Sequence, residues 1–272
     1  MTTQVPGYWP MLEAYHRARE SLYHDIITEV FHNLPPGATI LDAGCGDAFY
    51  SRLIADIVGP HANILAVDYN PSLLPAKPGL VPSIHFCVSD LEQIGAQRAV
   101  FDAIWLCRAM HSAPDPLRRL AALVPLLRPG QGKLVVIEND FAHYPIFSWP
   151  ADFEHRLLEA HYQYLQSRCP DGRSLERYHA ARHLPEWLAQ IGLCQISIHT
   201  YASEDVAPLP TKVETYWRLF MDWESQHTGP FLSPEDRETY NRACNPSSPD
   251  YLLRRPGFYS LELTTVACGI AP

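Results

Sequence analysis

The chain has 272 residues, 47% of them hydrophobic, and a net charge of −9 at neutral pH. That length suits one large α/β domain with insertions, or a domain with a cap. The acidic balance and the lack of any Lys/Arg run argue against a nucleic-acid surface.

Seven cysteines, at 45, 87, 107, 169, 194, 244 and 268, are odd in number and scattered. Several fall in apolar strand-like runs, which fits reduced thiols in a cytosol. The N-terminus has no basic stretch followed by an apolar one, and no run reaches the ~18 apolar residues of a membrane span. The expectation is a cytoplasmic protein that acts without a membrane.

Taken in chain order, Met11 to Phe31 spaces Leu12, Tyr15, Leu22, Ile26 and Val30 at helical intervals. Pro35-Pro36-Gly37 closes that helix. Strands follow at 39–42, 63–67, 84–88, 101–106 and 133–138, with helices at 48–57, 91–97 and 116–127 between them. Alternation at this period predicts a parallel, doubly wound sheet. After Glu138 the rhythm changes. A helix is expected at 151–166, another at 184–191, a strand at 195–201, helices at 212–226 and 234–243, and a last alternating strand at 259–268. Aromatic residues crowd three segments: Tyr8, Trp9 and Tyr15; Phe141, Tyr144, Phe147 and Trp149; and Tyr216, Trp217 and Trp223. Such a lining suits an apolar or aromatic small molecule, although aromatic core packing explains any single one.

Residues 40 to 46, Ile-Leu-Asp-Ala-Gly-Cys-Gly, are the most informative stretch. An apolar strand stops at Asp42, and Gly44 and Gly46 form a turn whose backbone can lie against a ligand. A dinucleotide fingerprint needs a third glycine three positions after Gly46, where Phe49 stands. A P-loop needs a Gly-Lys-Ser/Thr ending, and no lysine lies near. Asp42 and Asp47 make the loop acidic, which is wrong for a polyphosphate and acceptable for a cation. Asp68 ends the second strand, twenty-two residues beyond Gly46, where a carboxylate can accept from both ribose hydroxyls. Asp90 ends the third, where it could also cap the following helix.

These residues resemble the first motif of class I methyltransferases, Leu-Asp-x-Gly-Cys-Gly-x, with Ala48 at a frequent third glycine. Phe101 to His111, followed by Pro114-Asp115-Pro116, is similar to the fourth motif of small-molecule methyltransferases of the quinone-biosynthesis type. The resemblance covers about residues 38 to 140. It implies a Rossmann-like doubly wound seven-stranded, mostly parallel α/β sheet with its last strand antiparallel, plus helical cap insertions. It also implies S-adenosylmethionine as cofactor and S-adenosylhomocysteine as product. Residues 1–37 would be an N-terminal helical lid. Residues 38–140, 181–202 and 258–272 would be the core, and 141–180 and 203–257 substrate caps, with dimerisation as another use for the insertions.

In that frame Asp42, Gly44, Cys45 and Gly46 would hold the amino-acid and sulfonium end, Asp68 the ribose, and Asp90 the adenine amino group. Tyr69, Leu91 and Arg108 complete the expected cofactor-binding set, with Tyr69 placed to pack on adenine. The acceptor of an O- or C-methylation must lose a proton, and histidine is the best-matched base near neutral pH. His111, Glu138 and His143 are the candidates, although His111 could equally be a packing residue. No metal is expected: His179 with His183, and His155 with Glu159, have helical spacing but no completing ligand set. The expected partner is a small-molecule acceptor, with a homodimer left open. Two alternatives remain: an inactive methyltransferase-like scaffold, and a nicotinamide-dependent oxidoreductase, which Phe49 disfavours.

Overall fold

A computed structural model describes residues 8–74, 83–94, 100–140, 145–169 and 175–272. It divides into two compact units. One comprises Ser21–Asp140, Glu176–Tyr201 and Thr264–Pro272, the other Met1–Glu20, Phe141–Leu175 and Ala202–Leu263. The cut falls inside the first helix, after Glu20.

The larger unit is built on strands β1 (Thr39–Ala43), β2 (Asn63–Asp68), β3 (Ile84–Val88), β4 (Ala103–Cys107) and β5 (Lys133–Asn139). Two long strands, β6 (Cys194–Val206) and β7 (Tyr259–Ile270), complete a seven-stranded sheet in the order β3-β2-β1-β4-β5-β7-β6. The pairings β1–β2, β1–β4, β2–β3 and β4–β5 are parallel, and β7 runs antiparallel to β5. Strand number and direction match the expected mostly parallel sheet with its last strand reversed. β4 is buried at all five positions, which is why it reads as an unbroken apolar run and not an alternating one. Helices α1 (Tyr8–Phe31), α2 (Phe49–Val58), α3 (Pro116–Leu123) and α5 (Ala180–Gln190) contribute to this unit, α1 from Ser21 onward. Leu120, Leu123, Leu184 and Leu188 form one core with Leu106, Leu134 and Val136 of the strands.

Three expected elements change. Of the helix expected at 91–97, the described residues hold a 3-10 turn at Leu91–Gln93, and 95–97 lie outside the described residues. The helix expected to run to 127 stops at Leu123, because Pro125 has no N–H to continue it and a 3-10 turn takes over at Val124–Leu126. The strand expected to end at Tyr201 continues to Val206. Among the described residues, no helix is long and apolar enough to cross a membrane.

The smaller unit holds α4 (Ala151–Ser167), α6 (Thr211–His227), α7 (Pro234–Cys244) and the first turns of α1. Its aromatic residues pack on one another: Trp149 stacks on Tyr240 with centroids 5.4 Å apart, and Tyr15 meets Tyr216 edge-on at 5.3 Å. A buried charge network joins its elements. The Arg19 guanidinium donates to Asp205 of β6 (Nη1–Oδ1 3.0 Å, Nη2–Oδ2 2.5 Å) and to Glu262 of β7 (Nε–Oε2 2.8 Å). Trp217 Nε1 donates to Asp205 at 2.7 Å and the Tyr216 hydroxyl to Glu262 at 2.8 Å. Burial opposes the Arg19 charge, but the two carboxylates more than offset it and its pKa is raised.

Candidate active site

The expected site residues that are described all lie in the larger unit, at the carboxyl ends of β1 to β5. In open α/β sheets that edge binds ligands. The turn after β1 is shaped by three residues with positive φ: Gly44 at 78°, Gly46 at 52° and Ala48 at 61°. A Cβ on Gly44 would sit 3.2 Å from that of Ala109, so only glycine lets the turn close on the loop after β4. At Gly46 a Cβ would meet nothing within 4 Å, so the turn is open there. The Gly44 and Cys45 amides both donate to the Val67 carbonyl, at 2.8 and 2.9 Å, which ties the turn to β2. Cys45 is buried, and that burial raises its thiol pKa, so its part is played by its backbone.

Asp68 is 5% exposed and braces the same turn. Its Oδ2 accepts from Gly46 N at 3.0 Å and its Oδ1 from Asn70 N at 2.9 Å. Each carboxylate oxygen keeps a second lone pair for a ligand hydroxyl. Tyr69 beside it is 51% exposed and Leu91 is buried. Asp90 is exposed and caps the 3-10 turn by accepting from Glu92 N at 3.0 Å. This is the capping arrangement that its position also allowed.

Asp42 is buried and accepts from Ser51 Oγ of α2 at 2.5 Å. Ser51 lacked any sequence signal beyond its place in the first turn of α2. Burial pushes the Asp42 carboxyl up to about 7, and the charges of Asp68 and Asp47 add to the rise. The folded pKa lies above the usual carboxylate value of about 4, so from pH 4 to 7 the unfolded chain has released a proton that the folded one keeps. Stability is therefore lost as pH rises through that window. Asp42→Asn keeps an acceptor for Ser51 without the charge. It is expected to stabilise the ligand-free protein by about 2 kcal/mol at pH 8, the ~4 kcal/mol that three pKa units represent less the cost of burying the new amide N–H groups, and by almost nothing at pH 4. Denaturant titrations at the two pH values check this; an equal gain at both would contradict it.

The β4–β5 side has a different character. Arg108 carries a φ of 53°, a left-handed conformation costly for a residue with a Cβ, and donates its amide to Ile137 O at 2.8 Å. Backbone strain of this kind concentrates at functional sites. Glu138 is 1% exposed, and its Oε1 accepts from Met110 N at 2.7 Å. Burial pushes its carboxyl up to about 7 against the pull of the Met110 amide and of Arg108. Glu138 thus orients the turn that carries His111. His111 is half-buried, in the 3-10 turn Met110–Ser112. Burial, then the charges of Arg108, Arg177 and Arg119, lower its pKa to about 4. Arg119 and Arg177 escaped the sequence reading: one sits in an ordinary helix, the other in a segment assigned to a cap. His143 lies outside the described residues.

Among the described residues, no three His, Cys, Asp or Glu side chains gather to hold a metal ion. His179 faces Asp140 (Nδ1–Oδ1 3.4 Å), and His183 stacks on Trp187 at 5.1 Å.

A reversed seventh strand, a glycine turn after β1 and carboxylates closing β1 and β2 define a class I methyltransferase fold, whose cofactor is S-adenosylmethionine. Residues 40–130 match the family described as methyltransferase domain. The chain is 28% identical over 191 residues to a 2-methyl-6-phytyl-1,4-hydroquinone methyltransferase of Synechocystis, covering 68% of this chain and 55% of that one. It is 32% identical over 100 residues to a ubiquinone biosynthesis O-methyltransferase of Xanthomonas campestris, covering 35% and 41%. The chain thus spans about half the length of the curated relatives it matches. Among solved structures, the YcgJ protein of Bacillus subtilis shares the fold, with a TM-score of 0.58 at 14% identity over 92% of this chain and 98% of that one.

Proposed function

We propose that the protein transfers a methyl group from S-adenosylmethionine to a small quinone-related aromatic acceptor, at oxygen or at an acidic ring carbon. The observation that carries the reading is the Asp68 carboxylate clamped to the Gly46 amide at 3.0 Å beside an open turn. It offers a ribose-binding acid fixed to the glycine turn that would lie against the donor. The acidity of Asp42, Asp47 and Asp68 suits a cationic donor and not a polyphosphate. The names of the relatives support the acceptor class.

S-adenosylmethionine supplies, when bound, a sulfonium methyl carbon that an acceptor lone pair takes as the carbon–sulfur pair returns to sulfur. The work left to this chain is positioning and deprotonation of the acceptor. In this reading Asp42, Gly44, Cys45 and Gly46 hold the amino-acid end of the donor, with Tyr69, Asp90, Leu91 and Arg108 around its nucleoside. Glu138 holds the post-β4 turn in place and, with its carboxyl pushed up to about 7, is a candidate base. His111 is uncharged at neutral pH and able to take the acceptor proton, but at about 4 it is a weak base. His143 is kept as a second candidate base.

The test is turnover of methyl-labelled donor with a panel of hydroquinones and catechols. Label appearing in a phenol ether or a ring methyl supports the proposal. Label remaining in the donor across the panel and with a metabolite extract would sink it.

A further inference from the structure

A second imidazole stands at the same edge of the sheet. β5 ends at Asn139, and Asp140 is the next residue. His179 immediately precedes α5 and holds its N-cap position, yet its side chain makes no capping hydrogen bond. The ring turns to Asp140 instead, with Nδ1 3.4 Å from Oδ1, and the other carboxylate oxygen accepts from Arg182 Nε. Both side chains are largely withdrawn from water, 17% exposed for His179 and 16% for Asp140. Packing fixes the pair beside the turn that carries His111. Ala180, which follows His179, is 1% exposed in one core cluster with Ala109 and Met110. The Glu138 carboxylate, just before Asp140 on β5, accepts from Met110 N at 2.7 Å. Among the described residues the contact at Nδ1 is the one hydrogen bond of this ring, so Nε2 is left open. A carboxylate on Nδ1 selects the tautomer that carries its proton there and leaves a lone pair on Nε2. It also compensates the charge that the ring takes on with a second proton.

We propose that His179 Nε2 is the base that takes the hydroxyl proton of the methyl acceptor, and that Asp140 is the residue that positions it. The inference rests on the methyltransferase reading. It deepens that reading by making the acceptor a phenol that loses its proton at this edge. The proton passes to Nε2 as the oxygen lone pair forms its bond to the methyl carbon, and the carbon–sulfur pair leaves with sulfur. The imidazolium, paired with Asp140, then gives its proton to water. Of the other candidates, Glu138 is committed through Oε1 to the Met110 amide. His179 has both a carboxylate to orient it and an open nitrogen. A separation of 3.4 Å is long for a hydrogen bond, as is common in catalytic pairs before the ligand arrives.

The test is nuclear magnetic resonance of the intact protein, with nitrogen-labelled imidazoles and saturating S-adenosylhomocysteine, at about pH 7.5. The His179 pattern is the one missing from His179→Gln. Wild type should show His179 as the Nδ1–H tautomer with Nε2 bare. Asp140→Asn should lower the ratio of Nδ1–H to Nε2–H by about 10-fold, and Asp140→Glu should restore it in part. 4-Fluorocatechol is then added, because an ordinary phenol is uncharged at this pH and the fluorine shift reports its ionisation. Bound to wild type, the probe should ionise while His179 gains a second proton. Bound to His179→Gln, its ionised fraction should fall at least 10-fold. A wild-type His179 in the Nε2–H form, or a tautomer ratio unchanged in Asp140→Asn, would overturn the pairing whether or not the probe binds. Equal ionisation of the bound probe in wild type and His179→Gln would overturn the base. A probe that binds uncharged, or fails to bind at millimolar concentration, would overturn the phenolic acceptor. Failure of wild type to bind S-adenosylhomocysteine at all is a different result, and it removes the methyltransferase reading itself.

Discussion

Asp68→Ala should weaken donor binding by about 100-fold or more. Two losses combine. The ribose loses its charged acceptor, and hydrogen bonds to a charged group contribute about 1.5–3 kcal/mol each. The Gly46 and Asn70 amides, now held at 3.0 and 2.9 Å, lose their partner, so the turn after β1 loosens as well. Asp68→Asn keeps an oxygen for Gly46 N and gives up the charge. Its deficit should be nearer 10-fold. Calorimetric titration of S-adenosylhomocysteine into the three proteins checks the series. Equal affinities in all three would mean that the nucleoside binds elsewhere.

Arg19→Ala should destabilise the smaller unit by about 4 kcal/mol, the largest change in stability expected from any single substitution here. Removing one partner of a buried ion network costs roughly 3–5 kcal/mol because the remaining charges stay buried and uncompensated. Here two carboxylates would be left, Asp205 and Glu262, each 8% exposed as side chains or less. Trp217 and Tyr216 donate to them but bring no charge. The arginine stem is also lost from beside the Tyr216 ring, 5.6 Å from the guanidinium. The control is a triple replacement, Arg19→Met, Asp205→Leu and Glu262→Met, which removes every charge. It should recover much of the loss, since well-packed apolar groups can replace a buried ion network at little cost. Denaturant unfolding followed by tryptophan fluorescence measures both. A change below about 1 kcal/mol for Arg19→Ala would show that water already screens the network.

The parts of this protein that were legible in its sequence are those where local chemistry and fold agree. Strand β4 is buried at every position and so is a bare apolar run. Gly44 and Gly46 announce themselves because the turn needs positive φ and close approach to Ala109. Asp42 and Asp68 stand where strands stop. Other features depend on residues far apart in the chain. Arg19 meets Glu262 across 243 positions and Asp205 across 186, and no local pattern marks such partners. Arg119 is an ordinary arginine until the fold brings it to the His111 turn. Glu138 shows how a residue can be noticed for one role and carry a second that its sequence position does not mark. Its place at the end of β5 suggested a base, and its carboxylate also accepts the Met110 amide, 28 positions away, and so orients the His111 turn. Pro125 marks a subtler limit: the apolar period continues past it, but the missing N–H ends α3 at Leu123.

The central claim is that the turn after β1, braced by Asp68, binds S-adenosylmethionine. The most direct measurement is calorimetry of the intact protein with S-adenosylmethionine and S-adenosylhomocysteine, with NADH titrated in parallel. The account predicts one site per chain with micromolar affinity for both sulfur ligands and no heat from NADH. Absence of binding at millimolar S-adenosylmethionine, or saturable binding of NADH in its place, would contradict it.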